Sequence, residues 1–296
     1  MAVLDFLSRK ALVPAWTYRT NGVIWRLIPS ESGLFVGEER DLESKEACFF
    51  CLNQQSGKVL WQRRTFNERW WIGVEAVHGD HAFLHGFMKP DMPQHKGIIA
   101  VDLLTGRVAW SNSDVGFILA VDDSVFASGY SADGSRLHEL DCRTGETLHT
   151  WDDETDVLNS ARARVRARVT DELEFPLPLG TSSVLDEHAS NLAYKYSRME
   201  NIAGAIEVLQ KHDLLFLSYH VREGNGVSEV PLRNILNVIH LKDGEVVLTE
   251  TLNSNAPAVA PDSFFLHQDM LYFIKDRSVL TAVNIHELTS EDKRSR

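Results

Sequence analysis

The sequence predicts an all-β, β-propeller-like fold of about five to seven four-stranded antiparallel blades, with an irregular insertion. Three observations predict it. A hairpin motif recurs along the chain, short strands broken by Asp/Gly turns fill the intervals, and 296 residues suffice for one closed β domain.

The hairpin occurs as Cys51-Leu52-Asn53-Gln54-Gln55-Ser56-Gly57-Lys58-Val59-Leu60-Trp61, and again from Val101 to Trp110 and from Leu140 to Trp151. A fourth copy, His240 to Leu248, keeps the turn and drops the tryptophan. In each, a strand runs into a polar corner whose glycine supplies a positive φ, and a second, apolar strand leaves it. The glycines stand at 57, 106, 145 and 244, and the first two intervals match the ~40 to 50 residue period of propeller blades.

The remaining strands follow in order. Gly22 to Ile28, Leu34 to Glu39, Ala47 to Asn53 and Val59 to Arg63 make the first unit. Trp70 to Val77 and Ala82 to Met88 precede the second hairpin, and Gly116 to Val121 and Ser124 to Tyr130 precede the third. Ala205 to Gln210, Leu214 to Val221, Leu236 to Leu241 and Val246 to Leu252 form another unit. A last, shorter one runs through Ser263 to His267, Met270 to Ile274 and Val279 to Ile285. Residues 152–204 read as an insertion or a degenerate blade within a single domain over 1–296, and 290–296 as a frayed, charged tail. Arg162, Arg164, Arg166 and Arg168 alternate with small apolar residues, which predicts a solvated edge strand protected by charge.

Thirty Lys and Arg stand against 42 Asp and Glu, a net charge of -12 that opposes nucleic acid and anionic membrane surfaces. Three cysteines describe no disulfide framework. Met1 to Trp16 lacks the apolar run of a secretory signal, and no stretch of ~18 apolar residues would span a bilayer, so a cytoplasmic location is expected. Protein partners and a monomeric state are the matching expectations.

The Asp-x-x-Thr-Gly-x-x-x-Trp hairpins of residues 102–110 and 141–151 resemble the blade repeats of pyrroloquinoline-quinone-type propellers, the quinoprotein alcohol dehydrogenase family. In the second copy the tryptophan falls two residues late. The stretches Gly22-Val23-Ile24-Trp25-Arg26, Glu38-Glu39-Arg40-Asp41 and Pro261-Asp262-Ser263-Phe264-Phe265 are also similar to a bacterial domain family of unknown function. The first resemblance implies a propeller fold. Its members carry a vicinal disulfide beneath a quinone and a calcium held by carboxylates; this sequence has no adjacent cysteines and fewer repeats, so no quinone or other cofactor is expected.

Among groups able to carry chemistry, Cys48 and Cys51 have redox spacing but fall on a predicted strand, where residues three apart face opposite ways. Of His78, His81 and His85, the last two are four apart along a strand, ~13 Å at ~3.3 Å per residue, too far to share an ion, so no metal ligands are expected. Trp61, Trp110 and Trp151 recur after the hairpins and read as packing between blades. Trp25 and Arg26, with Glu38, Glu39 and Arg40, form the nominated ligand-binding pocket at a channel mouth. No Gly-x-Gly-x-x-Gly, Gly-x-x-x-x-Gly-Lys-Ser/Thr, His-Glu-x-x-His or Gly-x-Ser-x-Gly motif occurs, so no catalytic residue is nominated. The expectation is a non-catalytic binding or scaffold module, with a ligand-binding protein or enzyme as the alternative.

Overall fold

A computed structural model describes residues 13–87, 95–131, 134–152, 155–168, 173–180, 185–198, 201–222 and 231–289. The predicted tail at 290–296 lies outside them. The chain is mostly antiparallel β-sheet, and its contacts divide it into two compact units, Thr20–Thr170 and Met1–Arg19 with Asp171–Arg296. The first strand, β1 (Trp16–Arg19), belongs to the second of these units and is taken up there.

In the unit Thr20–Thr170, β2 (Val23–Pro29), β3 (Leu34–Asp41), β4 (Glu46–Asn53) and β5 (Val59–Arg64) pair in chain order as an antiparallel meander. A second meander is β6 (Ile72–His78), β7 (His81–Phe87), β8 (His95–Asp102) and β9 (Val108–Asn112). The third is β10 (Val115–Val121), β11 (Ser124–Ser131), β12 (Gly134–Asp141) and β13 (Thr147–Trp151), joined to the second by one parallel bridge, Gly116 with Gly97.

One hydrogen bond recurs across these meanders. The amide just past the third strand donates to the turn between strands one and two: Gln54 to Gly33 O at 2.9 Å, Leu103 to Asp80 O at 2.9 Å, Cys142 to Asp123 O at 2.8 Å. The hairpin corners are held by side chains. Asn53 Oδ1 accepts from Ser56, Asp102 Oδ1 from Thr105, and Asp141 Oδ1 from Arg143 and Thr144, which is why an Asx residue opens each motif.

The tryptophans reach the following hairpin. Trp61 Nε1 donates to Leu103 O at 2.8 Å and its ring covers Gly106; Trp110 Nε1 donates to Cys142 O at 2.9 Å and covers Gly145. Both glycines have positive φ, 67° and 72°, and an added Cβ would stand 2.8 Å and 2.5 Å from the indole. Glycine is therefore needed twice over, for the turn and for the neighbouring ring. Trp151 instead stacks on Phe126 and His149.

The arginine-rich segment is not an edge strand. Residues Thr155–Arg168 form helix α1, because alternating Ala and Arg are both strong helix formers and propensity outweighs the two-residue pattern. Leu158 and Ala161 are buried with Val165 beside them, at helical spacing, against Val121, Phe126 and Leu137.

In the second unit, β14 (Leu173–Glu174), β15 (Leu177–Pro178) and helix α2 (Glu187–Ser197) precede a meander of β16 (Ile202–Lys211), β17 (Leu214–Arg222), β18 (Leu232–His240) and β19 (Val246–Ala256), which β15 extends. Asp186 caps α2, accepting from the Ala189 amide at 2.8 Å. Helix α2 lies where a tryptophan would be expected: His188 Nε2 meets Leu241 O at 2.8 Å and Leu192 approaches Gly244.

The last sheet is β20 (Phe264–His267), β21 (Met270–Lys275) and β22 (Val279–Asn284), followed by the short helix α3 (His286–Thr289). At one edge β1 pairs antiparallel with β22, from Trp16 opposite Ala282 to Arg19 opposite Val279, and at the other β14 pairs with β20. The sequence unit that reads as shorter is completed from the other end of the chain. The recurring turn bond continues here, Leu241 to Asp213 O and Ile285 to Asp269 O. Leu214, Phe216, Leu236, Phe264, Leu271 and Phe273 fill the core between these sheets, each worth about 1.5–3 kcal/mol on burial.

Candidate functional site

The nominated residues fall in the first unit, on β2 and β3. Ile24 pairs with Glu39 and Arg26 with Glu38, so Trp25 is the extra residue of a β-bulge and is turned outward, 56% exposed. Glu38, Glu39 and Arg40 are buried.

Their charges are met inside the unit. Arg40 Nε donates to Glu38 Oε1 at 2.6 Å, Nη1 to Trp70 O at 2.9 Å and Nη2 to Ile72 O at 2.7 Å. Glu38 Oε2 accepts from the Val74 amide at 2.9 Å, and Arg26 Nη1 donates to Val74 O at 2.8 Å. Glu39 Oε1 accepts from the Asn21 and Gly22 amides at 2.8 and 2.7 Å. The Arg40 guanidinium also lies over the rings of Trp25 and Trp70, at 5.5 and 4.8 Å from their centroids. All five nominated residues are thus tied to one another or to the first strands of this unit, and they clasp β3 to β6.

Beside this clasp stands a group the sequence reading did not assemble. Glu75 on β6, His85 on β7 and His95 on β8 bring three ligand atoms within 4.8 Å of one another. Glu75 Oε2 is 2.7 Å from His85 Nδ1 and 3.0 Å from His95 Nδ1. The two imidazoles stack with centroids 3.5 Å apart and planes at 9°. The Glu75–His85 approach is close but off the line a hydrogen bond needs, and both atoms are buried with no hydrogen-bond partner among the described residues.

Local structure explains the convergence. Val74 pairs with Leu84 and Ala76 with Phe83, so Glu75 is a bulge residue, as Trp25 is in β2. Gly73, directly opposite His85, leaves space: a Cβ there would stand 3.2 Å from Glu38 Oε2 and 3.3 Å from the His85 ring. The two polar groups therefore share one gap in β6. The His85 imidazole holds the Glu75 carboxyl below the usual range against its partial burial, and burial holds His95 low. Phe87 meets both imidazoles edge-on, and Trp71, 39% exposed, meets Phe87.

His78 and His81 do not join this group. His78 Nε2 lies 2.8 Å from Asp122 O, and His81 packs against Phe83. The reasoning that set His81 and His85 too far apart holds along a strand, whereas the observed partners sit on adjacent strands about 5 Å away. Pairing β6 with β7 around Gly79-Asp80 would have placed Glu75 near His85; His95 carried no such signal. Cys48 and Cys51 face opposite sides of β4, with Cys51 in the core beside Phe49, and all three cysteines are free and buried. Burial pushes the thiols of Cys48 and Cys51 up to about 12 and that of Cys142 to about 11.

Fold and site together define an all-β protein of repeated antiparallel meanders with a carboxylate and two imidazoles gathered on one of them. Residues 28–110 match a family described as a domain of unknown function (DUF4905), a stretch that includes Glu38 to Arg40, Glu75, His85 and His95. No curated protein matches. Among solved structures, an uncharacterized protein from Listeria monocytogenes is 8% identical over 89% of this chain and 95% of its own, with a TM-score of 0.34. A member of the DUF4221 family from Bacteroides vulgatus is 9% identical over 91% and 96%, at 0.32. A eukaryotic initiation factor is 11% identical over 89% of this chain, at 0.31; the chain spans 55% of that protein's length. At these scores the likenesses support no assignment. Among the described residues no helix is long and apolar enough to cross a membrane.

Proposed function

We propose that the repeated meanders are blades of a five-bladed propeller and that the chain is a non-catalytic binding module which docks a protein partner on the surface around Trp25 and Trp71. Support for the architecture is the turn hydrogen bond repeated five times among the described residues and the completion of the last sheet by β1. The hairpins that resemble quinoprotein blades are consistent with this architecture.

The observation that carries the binding reading is the contrast within the clasp. Its charged groups are satisfied internally, while a bulge turns Trp25 outward above Arg40 at 56% exposure. Large aromatics set on a rigid, hydrogen-bonded base are the residue type that anchors interfaces. The test is affinity capture from a native lysate with the full chain and with Trp25→Ala. The reading expects a partner retained by the first and lost by the second at unchanged melting temperature. Detected turnover with no partner recovered would sink it.

A further inference from the structure

We propose that Glu75, His85 and His95 form a binding site for one divalent transition-metal ion of the zinc class, with at least one coordination position left open. The inference is independent of the binding-module reading, because it rests on three side chains that the Trp25 experiment does not touch. It departs from the sequence expectation of no metal ligands.

The donor set comes first. Two imidazoles and one carboxylate suit zinc and its neighbours, and three protein ligands leave a fourth position for water or an anion. The two described imidazole atoms at 2.7 and 3.0 Å from Glu75 Oε2 are already closer than the roughly 3.3 Å that separates donors on one tetrahedral ion with ~2.0–2.1 Å bonds, so the three donors are gathered and need to move apart, not together.

Second, the atoms approach one another without a well-aligned hydrogen bond. Glu75 Oε2 and His85 Nδ1 are buried without a hydrogen-bond partner among the described residues, a costly state for polar atoms that an ion would relieve. Third, the site is reachable: the His95 side chain is 35% exposed and that of Glu75 24%, against 5% for His85. Fourth, there is room beside His85. Glu38 Oε2, held by the Val74 amide, and the His85 ring border the same gap over Gly73, which a Cβ would fill.

One rearrangement is required. An ion lies near the plane of each imidazole it binds, and two rings 3.5 Å apart at 9° cannot both point in-plane at one ion. Loading therefore splays the stack, with His95, the more exposed ring, as the one that moves.

The experiment loads full-length protein, stripped with chelator, by equilibrium dialysis against micromolar Zn²⁺, and counts zinc per chain for the native sequence, Glu75→Gln and His95→Ala. Circular dichroism and melting in chelator establish that each is folded. His212→Ala/His286→Ala serves as a control, since those exposed imidazoles flank Asp269 at 3.3 and 3.2 Å and are the competing surface group. The proposal expects one zinc in the native chain and in the control, and at least a tenfold loss of occupancy in Glu75→Gln and His95→Ala. Cobalt substitution should add the visible absorption of a four- or five-coordinate ion to the native chain alone. No zinc in the folded native chain, or equal zinc in the Glu75 and His95 variants, would overturn it.

Discussion

Arg40 and the glycines under the tryptophans show how single residues carry this structure. The Arg40–Glu38 pair is buried and joined through Arg40 Nε and Glu38 Oε1, so removing the arginine leaves a buried carboxylate without its charge partner. Arg40→Met is expected to cost about 3–5 kcal/mol in urea unfolding, and the double variant with Glu38→Gln less than the two single changes together. At Gly145, alanine must adopt a φ of 72° and meet the Trp110 ring at 2.5 Å. Backbone strain of about 1–3 kcal/mol and a clash of similar size, about 1–3 kcal/mol, are expected. Combining Gly145→Ala with Trp110→Ala should cost less than the separate effects predict. Thiol chemistry gives a third check. With Cys48, Cys51 and Cys142 pushed up to about 12, 12 and 11 by burial, iodoacetamide at pH 8 should leave the folded chain unlabelled and modify all three in urea, read by mass spectrometry. Rapid labelling of the folded chain would contradict the burial.

At the scale of the element, the hairpin corners depend on ionised aspartates. Asp102 is held below the ordinary carboxylate range chiefly by the Thr105 hydroxyl, and Asp141 chiefly by the Thr144 amide. A carboxylate with a depressed folded pKa adds stability that is fully present above its unfolded value, ~3.9, and lost as pH falls through the lower folded value. Acid melting below pH 4 should therefore be less steep in Asp102→Asn, while above pH 5 that variant is the less stable; an unchanged acid limb would remove the turn from the explanation. Helix α1 is attached by its apolar stripe, not by charge. Its Arg164–Asp122 bridge is exposed at both ends and worth at most about 1 kcal/mol, whereas Leu158→Ala should cost about 2–3 kcal/mol.

At the scale of the molecule, β1 is the long-range feature. It pairs with β22 across nearly the whole sequence and buries Trp16 and Tyr18 in the unit that holds the chain's last strands. Deleting residues 1–19 should lower the melting temperature by on the order of 5–10 °C, and a peptide spanning residues 13–20 should restore part of it. Contacts of such sequence separation form late, so the deletion should speed unfolding more than it slows folding, measured by stopped flow. Equal effects on both rates would place β1 in the folding nucleus instead.

What the sequence determined by itself was the local chemistry. Asx-opened corners with glycine at positive φ, alternating strands and recurring tryptophans are short-range signals, and the strands from Val23 to Asn284 follow them closely. The all-β class and the paired strands were legible for that reason. So was the divergence of Cys48 from Cys51, which needs only the two-residue period. Tertiary structure decided the rest. Arg162 to Arg168 fit either period until burial of Leu158 and Ala161 selected the helix, and β1 found its partner only through a pairing no local pattern encodes. The nominated residues lie on the paired strands β2 and β3, but only the fold shows that Arg40 is consumed by Glu38, Trp70 and Ile72 while Trp25 is left outside. Glu75, His85 and His95 lie on three strands and two bulges. Their meeting depends on register, which a one-residue slip would abolish, so it is a property of the folded sheet and not of any stretch of sequence.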